Sequence, residues 1–214
     1  MTDPTLVIAV DGPAGSGKST VSRRVADRLG LSHLDTGAFY RAAALAAVRA
    51  GVDLADEAAV EPVVAGAAID QEAGMTTLDG SDVSDAIRDE AITQASSVVA
   101  AHPRVRAVLV ARQREWVARH GGRAVVEGRD IGSVVLPDAD LKVYLTADPE
   151  ERARRRARET SADLSRVGEA IAARDRRDTT RRASPLTAAE GAVEIDTTRL
   201  GIDEVVDEVL RRLV

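Results

Sequence analysis

The sequence predicts an α/β fold in which helices cover both faces of a parallel β-sheet. Two observations carry this prediction: short apolar stretches alternate with helical patterns, as in a parallel sheet, and the stretches lack polar alternation, as expected of strands buried on both faces. A length of 214 residues suits one folding unit. The predicted strands are 6–10, 31–34, 123–126, 141–145 and 192–195.

Helices are predicted to follow most of these strands. They begin at Lys18, at about Ala38, at Pro149 and at Ile202. The last is the clearest, because apolar residues recur at helical spacing up to the C-terminus. A further helical block covers about 84–120, where Pro103 marks a new helix start.

Two segments interrupt the alternation. In 61–85, short apolar runs separated by glycine turns predict a small antiparallel insert. In 148–182, Asp148 and Pro149 mark a helix start, and a second helix from about Leu164 to Arg181 completes an arginine-rich hairpin, which we call the lid. The rest forms the predicted core, residues 1–60, 86–147 and 183–214.

Composition narrows the function. A net charge of −6 argues against broad attraction to nucleic acid or anionic membranes. There is no cysteine, and the three histidines are too scattered for a zinc site. No apolar run approaches the roughly 18 residues that span a bilayer, and the first residues lack signal-peptide features. We expect a cytoplasmic monomer with no nucleic-acid or membrane partner.

The most informative segment is a glycine-rich loop directly after the first predicted strand. Its spacing, G-x-x-x-x-G-K-S over residues 12–19, is that of a phosphate cradle, in which backbone N–H groups and a helix N-terminus bind an anion. Lys18 reaches the outer phosphates, and the Ser19 hydroxyl completes the shell of a Mg²⁺ ion. The predicted ATP ligands here are Gly12, Pro13, Ala14, Gly15, Ser16, Gly17, Lys18, Ser19 and Thr20.

Arginines concentrate in the lid. Arg177 and Arg181 follow Arg174 by three and seven positions, so all three lie on one helix face. Phosphoryl transfer needs cations around the transferred group, and arginine suits that task. The alternative, for the arginines between 152 and 158, is a solvated surface paired with Glu and Asp.

Two segments predict the acceptor side. Thr36 and Arg41 follow the second predicted strand, and Arg129 with Asp130 follow the third, so both pairs lie at the carboxyl edge of the sheet. A monophosphate suits the first pair, although Asp35 and Thr36 are equally explained as a helix cap. For the second pair, the alternative to a ligand site is a core ion pair.

Taken together, eight segments resemble the bacterial cytidylate kinases along essentially the whole chain. In order, they are 8–19, 34–41, 82–88, 103–106, 127–132, 151–156, 174–178 and 184–186. The resemblance implies phosphorylation of CMP and dCMP by ATP with Mg²⁺. It also implies a five-stranded parallel sheet in the order 2-3-1-4-5, with the antiparallel insert on the monophosphate side and the lid over the phosphates.

The resemblance also implies roles for individual residues. Thr36, Arg41 and Arg129 match the acceptor-phosphate ligands, with Thr36 where serine is common. Ser97, Arg106 and Asp130 match the readers of the cytosine edge. Tyr40, Asp178 and Arg181 match the sugar-side group. Lid residues expected to meet phosphates are Arg154, Arg158, Arg174 and Arg177, and the residues expected to act in catalysis are Lys18, Arg129, Arg174 and Arg177.

Three other functions fit parts of the sequence. A kinase of another small acceptor, such as an adenylate, guanylate or shikimate kinase, shares the scaffold. A GTP-dependent switch would need an Asn-Lys-x-Asp segment, but the chain has no asparagine. A DNA-associated ATPase is disfavoured by the acidic net charge and by an aromatic content of 2%.

Overall fold

The structure, a computed structural model, describes residues 4–160, 162–180 and 186–213. Among these, residues up to His33 and from Gly122 onward form one compact unit, and Leu34–Gly121 form a second. This division differs from the partition into core, insert and lid, which stays a prediction. Arg181 lies outside the described residues.

The strands follow the predicted order along the chain. In the described residues they are β1 (Leu6–Asp11), β2 (Ser32–Asp35), β3 (Ile69–Glu72), β4 (Met75–Leu78), β5 (Ser81–Asp82), β6 (Arg123–Glu127), β7 (Leu141–Thr146) and β8 (Val193–Asp196). The helices are α1 (Lys18–Leu29), α2 (Thr36–Arg49), α3 (Glu57–Gly66), α4 (Glu90–Val99), α5 (Pro103–Arg119), α6 (Pro149–Thr160), α7 (Leu164–Thr180) and α8 (Ile202–Arg211).

The large sheet has the order β2-β6-β1-β7-β8. Counting only these five strands, this is the predicted 2-3-1-4-5, and β1 pairs in parallel with both β6 and β7. Ile8, Ala9 and Val10 in the central strand are fully buried, which explains the absence of polar alternation. The α/β prediction is confirmed.

Helices α1 and α8 complete the core of the first unit. Val21 and Val25 of α1 and Val205 and Val209 of α8 pack with the sheet residues in one apolar cluster. Burying an aliphatic side chain contributes about 1.5–3 kcal/mol, so this cluster anchors the strands whose ends form the candidate site. The α6–α7 hairpin also belongs to this unit, with Ala153 and Ile171 buried.

The second unit contains the predicted antiparallel sheet, in the order β3-β4-β5. Trp116 of α5 fixes this sheet from one side, because its Nε1 donates to the carbonyl of Gln71 at 2.7 Å. The predicted insert starts at residue 61, yet Glu57–Gly66 form helix α3. Asp56 caps α3 by accepting backbone N–H groups, and the segment continues as a helix through Pro62.

No helix in the described part of the chain is both long enough and apolar enough to cross a membrane.

Candidate functional site

The loop between β1 and α1 has the conformation that its glycines predict. Gly12, Gly15 and Gly17 have φ values of 144°, 75° and 88°, which other residues rarely adopt. Side chains are also excluded by space: a Cβ on Gly12 would lie 2.1 Å from the Leu145 carbonyl oxygen, and one on Gly15 would lie 2.8 Å from that of Arg152. The loop therefore brings its backbone close to β7 and α6 and leads into the N-terminus of α1.

Lys18 is a buried cation, only 6% exposed. Its Nζ donates to the Pro13 carbonyl at 2.6 Å and lies 3.4 Å from Ser16 Oγ. Burial, followed by the charge of Arg129 and a smaller effect of Arg174, lowers the pKa of Lys18 well below its ordinary value. Three cations thus share one electrostatic neighbourhood, and an anion bound there would relieve their mutual repulsion.

Ser19 makes a contact that its position in the loop motif does not predict. Its hydroxyl donates to Glu127 Oε2 at 2.8 Å, and Glu127, the last residue of β6, also lies 3.2 Å from His33 Nε2 through Oε1. Glu127 was visible in the sequence only as the residue before Gly128 and Arg129. Because β6 neighbours β1 in the sheet, its carboxyl end lies beside the phosphate loop.

Asp11 connects the phosphate loop with the segment that bears Arg129 and Asp130. Its two carboxylate oxygens each accept one backbone N–H, from Ile131 and from Gly132, both at 2.8 Å. Burial is the main cause that raises the pKa of Asp11 from 3.8 to about 6, against the lowering effect of these hydrogen bonds. Asp11 therefore aligns the ends of β1 and β6.

Arg129 forms an ion pair within the first unit. Its Nε donates to Asp178 Oδ2 of α7 at 3.0 Å, and its Nη1 donates to the Gly128 carbonyl at 3.1 Å. The core ion pair considered as an alternative from the sequence is therefore present. Asp130 is 4% exposed, and its carbonyl accepts the N–H groups that start the π-helical turn Ile131–Val135.

Helix α6 turns Arg152 toward the phosphate loop. Arg152 is buried, donates to the carbonyls of Ala147 and Ala14 at 3.1 Å, and forms an ion pair with Asp175 of α7. Asp175 in turn accepts the backbone N–H of Ala14 at 3.4 Å. The hairpin is therefore tied to the phosphate loop through Arg152, which was not among the predicted site residues.

Arg155 lies on the same side of α6 as Arg152. It donates to Thr197 Oγ1 at 2.9 Å and to the Thr197 carbonyl at 2.5 Å, while Thr197 Oγ1 lies 3.2 Å from the Ser16 carbonyl. The end of β8 is thereby attached to both α6 and the phosphate loop. Spacing three apart on a helix could have suggested that Arg152 and Arg155 act together.

The other α6 arginines face solvent. Arg154 is 48% exposed on its side chain and pairs with Glu150 at 3.0 Å and Glu151 at 3.4 Å. Arg158 is also exposed. Arg154 therefore shows the solvated, paired arrangement that was the alternative for this segment, and a phosphate-binding role for Arg154 and Arg158 stays a prediction.

In the second unit, Asp35 both caps α2 and holds Arg41. Its Oδ1 accepts the Ala38 N–H at 3.2 Å, and its Oδ2 accepts from Arg41 Nη2 at 2.9 Å. The Arg41 Nε is buried with no hydrogen-bond partner in the described part of the chain. Thr36 is 3% exposed at the start of the helix. Asp35 is therefore a helix cap, as the alternative interpretation predicted. The Arg41 Nε remains as a donor for a ligand.

Arg106 and Tyr40 also come together in this unit. The Arg106 guanidinium carbon lies 5.4 Å from the centre of the Tyr40 ring, and Arg106 is only 4% exposed. Ser97 is half-buried on α4. A cavity of about 590 Å³ in the same unit is lined by other residues, among them Phe39 and Arg119.

The chain is similar to known proteins along nearly its whole length. The family model described as "Cytidylate kinase" matches residues 8–214. A cytidylate kinase of Nocardia farcinica is 50% identical over 218 residues, covering 98% of this chain and 94% of that protein. A cytidylate kinase of Rhodococcus opacus is 48% identical over 219 residues, covering 98% and 95%.

A solved structure supports the fold. The crystal structure of TT1252 from Thermus thermophilus covers 99% of this chain and 100% of its own, with a TM-score of 0.50 and 20% identity. At that identity, the likeness concerns the fold alone.

Proposed function

We propose that this chain, which belongs to the cytidylate kinase family, transfers the γ-phosphoryl group of ATP to the phosphate of CMP or dCMP. Membership makes it a nucleoside monophosphate kinase. The phosphoryl donor, the choice of sugar and the residues that act are the subject of the proposal.

The observation that carries the proposal is the electrostatic state of Lys18. A buried ammonium whose pKa is lowered by burial and by Arg129 and Arg174 is costly to keep unless an anion binds there. Two facing phosphates supply that charge. Phosphoryl transfer relies mainly on positioning and on neutralising charge at the transferred group, and this cluster suits both tasks.

The donor triphosphate is expected in the loop 12–20, against the N–H groups at the start of α1. Ser19 and Glu127 provide oxygen atoms, the ligand type that Mg²⁺ prefers. The Ser19 hydroxyl donates its hydrogen to Glu127, so its lone pairs remain for a cation. No group of three or more His, Cys, Asp or Glu that could hold a metal ion is found in the described residues. Bound there, Mg²⁺ would neutralise phosphate charge.

The acceptor phosphate is proposed to bind Thr36, Arg41 and Arg129. The Nε of Arg41 is buried and has no hydrogen-bond partner among the residues that the structure describes. A phosphate oxygen would satisfy this donor, and an unmet buried donor costs about 1–3 kcal/mol. Ser97, Arg106 and Asp130 are the proposed readers of the cytosine edge. Tyr40 and Asp178 are proposed for the sugar, together with Arg181, which lies outside the described residues.

The reaction needs no strong general base, because the attacking acceptor phosphate oxygen is already ionised near neutral pH. The γ-phosphoryl group would pass in line between the two nucleotides. Arg174 and Arg177 of α7, with Lys18 and Arg129, are the proposed cations around it. The hairpin excludes water, which would otherwise accept the group.

The test is ADP release from ATP with one acceptor at a time. The panel is CMP, dCMP, UMP, AMP, GMP and shikimate. We expect rapid turnover with CMP and dCMP, slow turnover with UMP, and background rates with the others. Preferred turnover of AMP, GMP or shikimate would overturn the cytidine assignment, and equal rates for CMP and UMP would remove the proposed reading of the exocyclic amine.

A further inference from the structure

The imidazole of His33 lies beside the carboxylate that accepts the Ser19 hydroxyl hydrogen. His33 Nε2 is 3.2 Å from Glu127 Oε1, and the other carboxylate oxygen, Oε2, is 2.8 Å from Ser19 Oγ. The His33 and Glu127 side chains are 11% and 4% exposed. The three side chains form a continuous series of contacts from β2 through β6 to the first turn of α1.

The chemistry of these contacts assigns a direction to each hydrogen bond. Both carboxylate oxygens of Glu127 are acceptors, so His33 carries a hydrogen on Nε2 and Ser19 donates its single hydroxyl hydrogen. A serine held this way directs its lone pairs away from the carboxylate. The arrangement depends on the rotation of the Glu127 carboxylate, which the contact from His33 at the opposite oxygen holds in place.

We propose that His33 is a positioning residue for the divalent cation that accompanies the nucleotide. His33 fixes Glu127, and Glu127 orients the Ser19 hydroxyl toward the cation. This inference rests on the proposed function, since the cation is expected to arrive with the nucleotide phosphates. Groups that contact a metal ligand directly, as Glu127 contacts Ser19, typically change metal affinity or activity by about 10–100-fold when they are lost. His33 lies one contact further from the cation, so we expect an effect at the lower end of that range.

Three variants separate positioning from packing. His33→Leu removes the donor and keeps an apolar side chain of moderate size. His33→Gln retains an amide N–H near the place of the imidazole Nε2, so a positioning role predicts rescue. His120→Gln is the matched control, because His120 makes a similar contact, 3.3 Å to Glu72 Oε2, in the second unit.

The measurement is the calorimetric affinity for ADP, once with Mg²⁺ and once with the metal removed by EDTA. We expect His33→Leu to bind ADP with Mg²⁺ about tenfold more weakly than the unchanged protein. Its affinity for metal-free ADP should be unchanged. His33→Gln and His120→Gln should match the unchanged protein under both conditions.

Several results would overturn the inference. The first is that His33→Leu binds ADP with Mg²⁺ as tightly as the unchanged protein. The second is that His33→Gln loses as much of this affinity as His33→Leu does. The third is that His33→Leu loses affinity for metal-free ADP to the same extent. If the unchanged protein binds ADP equally with and without Mg²⁺, the cation site of the proposed function fails too, and that failure is visible before any variant is made.

Two further measurements distinguish a loss of positioning from a folding defect. His33→Phe is a second donor-free variant and is measured in the same way. In a Glu127→Gln background, His33→Leu should cause no further loss of Mg²⁺-dependent affinity, because its effect passes through the Glu127 carboxylate. A further loss of similar size in that background would contradict the proposed route.

Discussion

The phosphate loop and helix α6 are in contact, yet the sequence predicts the conformation of the loop much better than the side-chain contacts of the helix. The loop is defined by glycines with positive φ angles, and at Gly12 and Gly15 a Cβ would also collide with neighbouring backbone. In α6, Arg152 is buried against Ala14, whereas Arg154, two positions on, pairs with glutamates in solvent. A sequence shows where the backbone conformation requires glycine, but it does not show which group a long side chain will contact.

The largest effect is expected at the loop, from Lys18→Ala. Removing the cation should lower kcat by about 10³-fold, or about 4 kcal/mol, because no other ammonium takes its place. The folded state should keep or gain stability, since the buried charge of Lys18 opposes folding. Steady-state kinetics measures the loss of kcat, and thermal unfolding measures the stability.

Lys142→Ala is the matched control for that substitution. Lys142 is the other lysine of the chain, and its Nζ donates to the Glu190 carbonyl at 3.3 Å in a solvent-exposed contact. Its kcat should stay within twofold of the unchanged enzyme. Near-normal turnover by Lys18→Ala would remove the role given to the loop.

The second-largest effect is expected within α6, where loss of Arg152 should destabilise the fold far more than loss of Arg154. Arg152→Ala leaves the half-buried Asp175 carboxylate without its ion-pair partner and removes two hydrogen bonds to carbonyls, at a cost of about 3 kcal/mol. Arg154→Ala breaks only solvent-exposed pairs and should cost under about 0.5 kcal/mol. Urea unfolding of both variants measures the difference, and equal costs would contradict the contrast between the two faces of α6.

A smaller effect concerns pH and the carboxylate that starts the loop. The folded-state pKa of Asp11 is raised from 3.8 to about 6, so the folded state holds this proton more tightly than the unfolded chain. That contribution to stability is present below pH 3.8 and is lost as the pH rises through 6. Relative to Asp11→Asn, the unchanged protein should lose about 2 kcal/mol between pH 4 and 7.

Unfolding of both proteins across that pH range provides the measurement. Comparing them removes the titration of every group they share. A difference that stays constant with pH would mean that Asp11 is ionised in the folded state throughout, with its two N–H donors outweighing burial.

Much of the fold was predictable, because it follows from the spacing of apolar residues and from the residues that mark turns and helix starts. The strand order was expected from the family resemblance, and it is confirmed. Helix α3 was missed because Pro62 and the short apolar runs after it resemble a break, whereas the cap at Asp56 and the buried pair Val60 and Val64 form a helix.

The site was predictable to the extent that it depends on sequence spacing. Lys18 and the loop follow from the glycine spacing, and the cap at Asp35 from its residue type. The contacts of Glu127, His33 and Arg155 join distant strands and helices, and only the pairing of those elements brings them together. Sequence spacing alone carries no signal for such contacts.

The most direct test of the central claim follows phosphorus from donor to product. With ATP, Mg²⁺ and CMP, phosphorus NMR should show the γ-phosphate of ATP disappearing at the rate at which the β-phosphate of CDP appears, with no inorganic phosphate accumulating. Release of inorganic phosphate in place of CDP would show that the loop and its cations deliver the group to water, and the account would be wrong.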